Sequence, residues 1–263
     1  MRYLIRLFAL AIAFAVIAPG IAESKPASTG PKPTIVLVHG AFAESSSWNG
    51  VIAALEKDGY TVVAAANPLR GIKSDGAYVA SVVKSIKGPV VLVGHSYGGF
   101  VITEAANGLP NVKALVYVSA FTPDTGETAF ALSAKFPGST LAESLLAIPM
   151  IGGGADLYID PAKFHAQFAA DVPAAQAALM AAAQRPGNQA ALTEPAGEVA
   201  WKTIPSWFIY GVEDRNIPAA LVRFMAERAG ARKVVGIKGG SHAVMVSHPA
   251  EVAAMIRTAA TAN

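Results

Sequence analysis

The sequence predicts an α/β domain: a doubly wound, mostly parallel sheet of about six strands, with a helical cap inserted before the last two. Three observations carry this expectation. From Thr34 onward, short apolar runs alternate with helical patterns. One of these runs, Pro89–Val93, passes through a glycine-flanked turn straight into a helical segment. The stretch 122–204 then interrupts the alternation and contains no convincing strand.

Residues 1–22 read as a secretory signal peptide. Arg2 and Arg6 stand at its start without an acid, Leu7–Ala18 is unbroken apolar sequence, and Pro19-Gly20 ends the run before small residues. The preferred cleavage point follows Ala22. The apolar run is shorter than the roughly 20 residues a membrane-spanning helix needs. Residues 23–33 form a linker whose prolines cannot sustain a strand. The domain proper is expected over 34–263.

Within it, strands are expected at Thr34–Val38, Thr61–Ala65, Pro89–Val93, Ala114–Ser119, Ser206–Tyr210 and Lys233–Ile237. Most are rich in β-branched or aromatic residues and lack polar alternation. That pattern suits parallel strands buried on both faces by helices. Helices are expected near 47–58, 75–87, 97–107, 217–229 and 248–260, with Pro218 in a first-turn position. In the 122–204 insertion, Asp160-Pro161 is a helix start, Asp171 with Pro173 is another, and Arg185-Pro186-Gly187 is a stop. Such an insertion would cover the C-terminal edge of the sheet, where α/β folds bind ligands.

Composition narrows the function classes. The chain has no cysteine, which removes disulfides, thiol nucleophiles and thiolate metal ligands. The formal charge is +3, and without Arg2 and Arg6 there are 19 basic residues against 18 acidic. No basic stripe marks a nucleic-acid partner. Nothing in the sequence sets the oligomeric state.

The chemistry is expected at Gly94-His95-Ser96-Tyr97-Gly98-Gly99. A serine on a tight turn between strand and helix, with glycines two residues away on each side, is a nucleophile elbow. A serine hydroxyl needs a base, and the base needs a third group to orient it. The base expected is His242, in the Gly-rich loop after the last strand, with His248 as its rival. His39, His95 and His165 each have competing structural explanations. The acid expected is Asp214, after the penultimate strand, with Asp124 and Glu213 as alternatives. Oxyanion donors are expected from the backbone N–H of Tyr97 and from that of Ala41, or else of Phe42, after the first strand. Phe42, Trp48, Phe121 and the 128–136 segment are candidate walls of an apolar pocket under the cap; core packing competes for each aromatic.

With His39-Gly40, the Ser96 elbow, Asp214 and His242 in this order and at these strand ends, the chain resembles the α/β-hydrolase superfamily over 34–260. The stretch Leu37-Val38-His39-Gly40-Ala41-Phe42 with Ser47-Trp48 resembles the branch holding plant methylesterases, hydroxynitrile lyases and many bacterial esterase-like proteins. The run Ser241–Ser247 resembles the esterase members; the lyases carry a lysine directly after the catalytic histidine, where this chain has Ala243. The resemblance implies a serine hydrolase with neither metal nor organic cofactor and does not fix the substrate; the expected apolar pocket suggests a small, fairly apolar ester. Thioester, lactone or C–C hydrolysis and perhydrolysis on the same residues stay open, as does a ligand-binding or sensory protein with negligible turnover.

Overall fold

A computed structural model describes residues 31–262. The signal peptide expected over 1–22 lies outside the described residues, as does the linker up to Gly30. Residues 31–33 carry no regular structure. Among the described residues no helix is long and apolar enough to cross a membrane.

The first half of the domain runs β1 (Thr34–Val38), α1 (Asn49–Lys57), β2 (Val62–Ala65), α2 (Ile72–Ser85), β3 (Val90–His95), α3 (Gly98–Ala105) and β4 (Val112–Val118). The cap insertion follows, with α4 (Ala129–Ser133), β5 (Leu145–Pro149), β6 (Ala155–Ile159), α5 (Pro161–Phe168), α6 (Ala174–Ala183), β7 (Gly187–Asn188) and α7 (Gln189–Thr193). The chain then closes with β8 (Ser206–Gly211), α8 (Ala219–Arg228), β9 (Lys233–Ile237), α9 (Val244–Ser247) and α10 (Pro249–Ala260).

The main sheet has six parallel strands in the order β2-β1-β3-β4-β8-β9. Both faces are covered where the apolar runs are longest: every residue of β3 and β8 is buried, and β1 and β4 are nearly so. At the rims the expectation of two-sided burial fails. β2 is half-buried, and β9 exposes Lys233 and Val234, because no strand pairs with the outer edge. A lysine there discourages edge-to-edge association.

The chain leaves β1 toward one side of the sheet and returns to β3 on the other. That reversal opens the crevice in which α/β folds place their ligands. The register aligns the strand tips around it: Val38 lies beside Gly94, His95 beside Val118, and Val118 beside Ile209. The loop after β1, the elbow after β3 and the turn after β8 therefore meet at one edge.

The cap is not purely helical, which corrects the reading of 122–204. β5 and β6 form an antiparallel hairpin with Pro149 opposite Ala155, and the two-residue β7 joins it. Gly152, Gly153 and Gly154 all take the left-handed φ that lets Met150–Gly154 reverse the chain. The helix starts read in the sequence hold at Asp160, whose carboxylate accepts from the Ala162 N–H at 2.9 Å. The next helix begins at Ala174, after Pro173, and Asp171 has a different role.

Candidate active site

The elbow is held by close backbone packing. Ser96 has φ of 54°, the left-handed region a serine seldom occupies, which turns its side chain out of the strand line. Its carbonyl accepts from the N–H of Gly99 (3.0 Å) and of Phe121 (3.2 Å), tying the turn to α3 and to the end of β4. Gly98 allows the approach of the neighbouring strand: a Cβ on it would lie 2.5 Å from the Val38 carbonyl oxygen. Ser96 is 8 % exposed, enclosed by the elbow and the segments packed on it.

His242 and Asp214 meet as expected. His242 Nδ1 is 2.7 Å from Asp214 Oδ2, and both side chains are fully buried. The other carboxylate oxygen of Asp214 accepts from the N–H groups of Asn216 (2.7 Å) and Ile217 (2.9 Å), so the acid caps its own turn while it faces the imidazole. His242 Nε2 is buried and has no hydrogen-bond partner. A buried imidazole nitrogen pointing into a site without a partner is the group that would receive a proton there; nucleophile–base bonds often tighten only when substrate binds.

His95 packs behind His242. Its ring lies 4.7 Å from that of His242, and its Nε2 is 3.0 Å from the His242 carbonyl. Complete burial holds its pKa well below the ordinary value, with the neighbouring His242 acting in the same direction. The neutral ring therefore donates Nε2–H to that carbonyl. Trp48 and Phe168 meet the His95 ring edge-on at 6.3 Å and 6.0 Å.

The loop after β1 lies directly against the elbow. A Cβ on Gly40 would fall 2.6 Å from the Ser96 Cβ and 3.0 Å from the Tyr97 nitrogen, so only glycine lets the segments touch. Among the described residues, neither the Ala41 nor the Tyr97 N–H has a backbone acceptor. The Phe42 N–H, the alternative donor, is engaged: it donates to the Arg185 carbonyl at 2.8 Å. Phe42 itself sits at φ of 64°.

The rival candidates lie elsewhere. His248, at the start of α10, faces Asp171 (3.4 Å) and Glu251 (3.6 Å). Asp124 pairs with Lys202 near the surface, and Glu213 is exposed. His165 reaches the Val172 carbonyl. Of the expected pocket walls, Phe42 lines a cavity of about 350 Å³ between the loop after β1 and α6, together with Leu179, Met180 and Val246. Ser96 does not border that cavity. Trp48 is wholly buried beneath His95, and the Phe121 ring packs on Phe100 at 5.6 Å; core packing accounts for both positions. Among the described residues no three His, Asp or Glu side chains converge as a metal site requires.

Two cap residues grip the candidate catalytic loops: Gln167, which the sequence did not single out, and Asp171, read there only as a helix start. Gln167 donates to Asn216 Oδ1 (2.8 Å) and to the Arg215 carbonyl (2.9 Å), bracing the turn that carries Asp214. Asp171 accepts from the Ser241 hydroxyl, next to His242. Its carboxyl stays below the ordinary range despite burial, because hydrogen bonding, from the Ser241 hydroxyl foremost, outweighs desolvation.

Comparison with known proteins places the fold. The profile described as "Alpha/beta hydrolase family" matches residues 35–255. The chain is 26 % identical over 240 residues to an alpha-hydroxynitrile lyase of Arabidopsis thaliana, covering 83 % of this chain and 93 % of that protein. It is 27 % identical over 255 residues to esterase PIR7B of Oryza sativa subsp. japonica, covering 86 % and 94 %. Among solved structures, polyneuridine aldehyde esterase superposes with a TM-score of 0.75 at 23 % identity, covering 87 % of this chain and 99 % of that one. The pyrethroid hydrolase PytH superposes at 0.70 with 24 % identity, covering 88 % and 98 %. Fold, strand-tip geometry and profile match together establish that this chain belongs to the alpha/beta hydrolase family.

Proposed function

We propose that the protein is an exported serine hydrolase acting on ester bonds, a carboxylesterase for small, fairly apolar esters. The observation that carries this is the buried Asp214–His242 pair with an unpartnered Nε2, at the same sheet edge as a serine in left-handed backbone conformation. In this reading Ser96 Oγ attacks the ester carbonyl carbon as His242 Nε2 takes its proton. Asp214 orients the ring and stabilises the imidazolium. The Ala41 and Tyr97 N–H groups hold the oxyanion of the tetrahedral intermediate. That intermediate collapses to an acyl-serine as His242 gives its proton to the leaving alcohol. Water, deprotonated by His242, then attacks the acyl-serine and releases the acid.

Relatives named as esterases or hydrolases support an ester substrate. The resemblance to a hydroxynitrile lyase does not extend to the position after the base. Ala243 is fully buried there and brings no cation to hold a cyanide leaving group. Export rests on the basic and then apolar sequence of residues 1–22.

The test is hydrolysis of aryl esters of increasing acyl length by wild type and Ser96→Ala, with labelling by a fluorophosphonate. The expected result is multiple turnover and stoichiometric labelling in wild type, both lost in the variant. Activity that survives in Ser96→Ala overturns the mechanism. Folded wild type that neither turns over nor labels points to a binding protein instead.

A further inference from the structure

Asp75, in the first turn of α2, is wholly buried, and its carboxylate oxygens face neutral donors. They accept from the Arg70 N–H (3.1 and 3.2 Å), from the Gly71 N–H (3.4 Å) and from the Tyr97 hydroxyl (3.0 Å). The Arg70 guanidinium turns away, to Asp156. Burial holds the Asp75 carboxyl above the usual range, while these hydrogen bonds pull the other way. Burying a carboxylate without a cation is a poor route to stability alone.

What the carboxylate does hold is the residue after Ser96. Tyr97 is 2 % exposed, and its ring stacks on Phe100 at 6.2 Å. Its phenol end is anchored on Asp75, and its backbone N–H is one of the two unengaged donors at the elbow. The loop that Asp75 closes, residues 67–71, also grips the other donor segment. Asn67 Nδ2 donates to the His39 carbonyl (2.8 Å), and the Asn67 N–H donates to His39 Nε2 (3.2 Å), two residues before Ala41. The loop is therefore tied to Tyr97 through Asp75 and, through Asn67, to the segment that carries Ala41.

We propose that Asp75 and the Tyr97 hydroxyl are positioning groups for the oxyanion hole: through them the 67–71 loop sets where the Tyr97 N–H points relative to the Ala41 N–H. The inference rests on the serine-esterase reading above. It assigns the phenol a role in transition-state geometry without contact with substrate. A donor displaced by a fraction of an ångström weakens oxyanion stabilisation while leaving ground-state binding in place.

The test compares wild type, Tyr97→Phe, Asp75→Asn and the double variant, each titrated with a fluorophosphonate so that rates are per labelled site. Tyr97→Phe removes one oxygen and keeps the packed ring, so it covers the case in which Asp75→Asn does not fold. The expected result is a kcat about tenfold lower for Tyr97→Phe, with KM within about twofold. An aryl trifluoromethyl ketone, which forms a tetrahedral oxyanion on serine, should weaken by a similar factor. The double variant should be no worse than the poorer single variant, because the two groups act through one bond. A Tyr97→Phe enzyme with wild-type kcat and ketone affinity overturns the inference, as do losses that add in the double variant. Wild type that neither turns over nor labels overturns the esterase reading first, and the inference with it.

Discussion

Acidification should weaken this fold through His39, and the size of the effect follows from the surroundings of the ring. His39 is fully buried at the tip of β1, with Nδ1 2.9 Å from the Gly40 carbonyl and Nε2 accepting from the Asn67 N–H. The second bond needs a neutral imidazole. Burial is the main reason its pKa lies at about 4 rather than 6.5; the charge of Arg185 acts the same way, and the Gly40 carbonyl and Glu44 oppose it. Once unfolded, the ring takes up a proton as the pH falls through about 6.5, whereas in the fold it resists until about 4. The unfolded state thus binds more protons across that window. The contribution is complete above the window and is lost as the pH falls through it. At about 1.4 kcal/mol per pH unit, the loss amounts to about 3 kcal/mol.

The assay is urea unfolding of wild type and His39→Gln at intervals from roughly pH 8 to pH 4. The glutamine amide oxygen can accept from Asn67 without titrating. His95, buried and held neutral, presses stability in the same direction, but it is common to both proteins and cancels in the difference. So do the carboxylates, including Asp75 and Glu104, whose raised pKa values act oppositely. The stability of wild type relative to the variant should fall by about 3 kcal/mol between the two ends of the range. A difference that holds constant to within about 0.5 kcal/mol would refute the argument that His39 is kept neutral by burial.

Two substitutions probe the candidate site. Asp214→Asn keeps an oxygen for the Asn216 and Ile217 N–H groups but leaves His242 in the wrong tautomer, so kcat should fall by about four orders of magnitude with little change in Tm; steady-state kinetics beside a thermal melt checks this. Gly187→Ala places a methyl 2.9 Å from the Ala41 Cβ, well inside the roughly 3.5–4.0 Å carbon contact, and should lower kcat about tenfold by shifting the Ala41 N–H, read per titrated site.

The alternation of strand and helix was legible because central strands carry their burial in plain sequence. Ile35–Val38 and Val90–Val93 are apolar throughout, and both lie in the covered middle of the sheet. The elbow at Ser96 and the meeting of Asp214 with His242 were legible because chain order and strand ends fix where such residues go. The cap hairpin was not, because Leu145–Pro149 is an apolar run left largely exposed, without the alternation that marks a half-buried strand. Its signal was the triglycine turn. The contacts of Asp75, Asn67, Gln167 and Asp171 were unreadable for a different reason. Each residue has a polar side chain whose partner lies on a separate loop, and single-sequence periodicity carries no information about such pairs.

The cap reaches the candidate site at three places: Gln167 at the Asp214 turn, Asp171 at the Ser241–His242 loop, and Arg185 with Gly187 at the segment after β1. A designer who grafts a foreign cap to admit a bulkier ester would thereby remove the braces of all three loops at once. Under the proposed function, substrate preference and catalytic rate would not be separable traits in this scaffold. Selection for a new ester would have to retain those few polar anchors while the apolar surface between them drifts, and the anchors, rather than the pocket walls, are the positions a library should leave untouched.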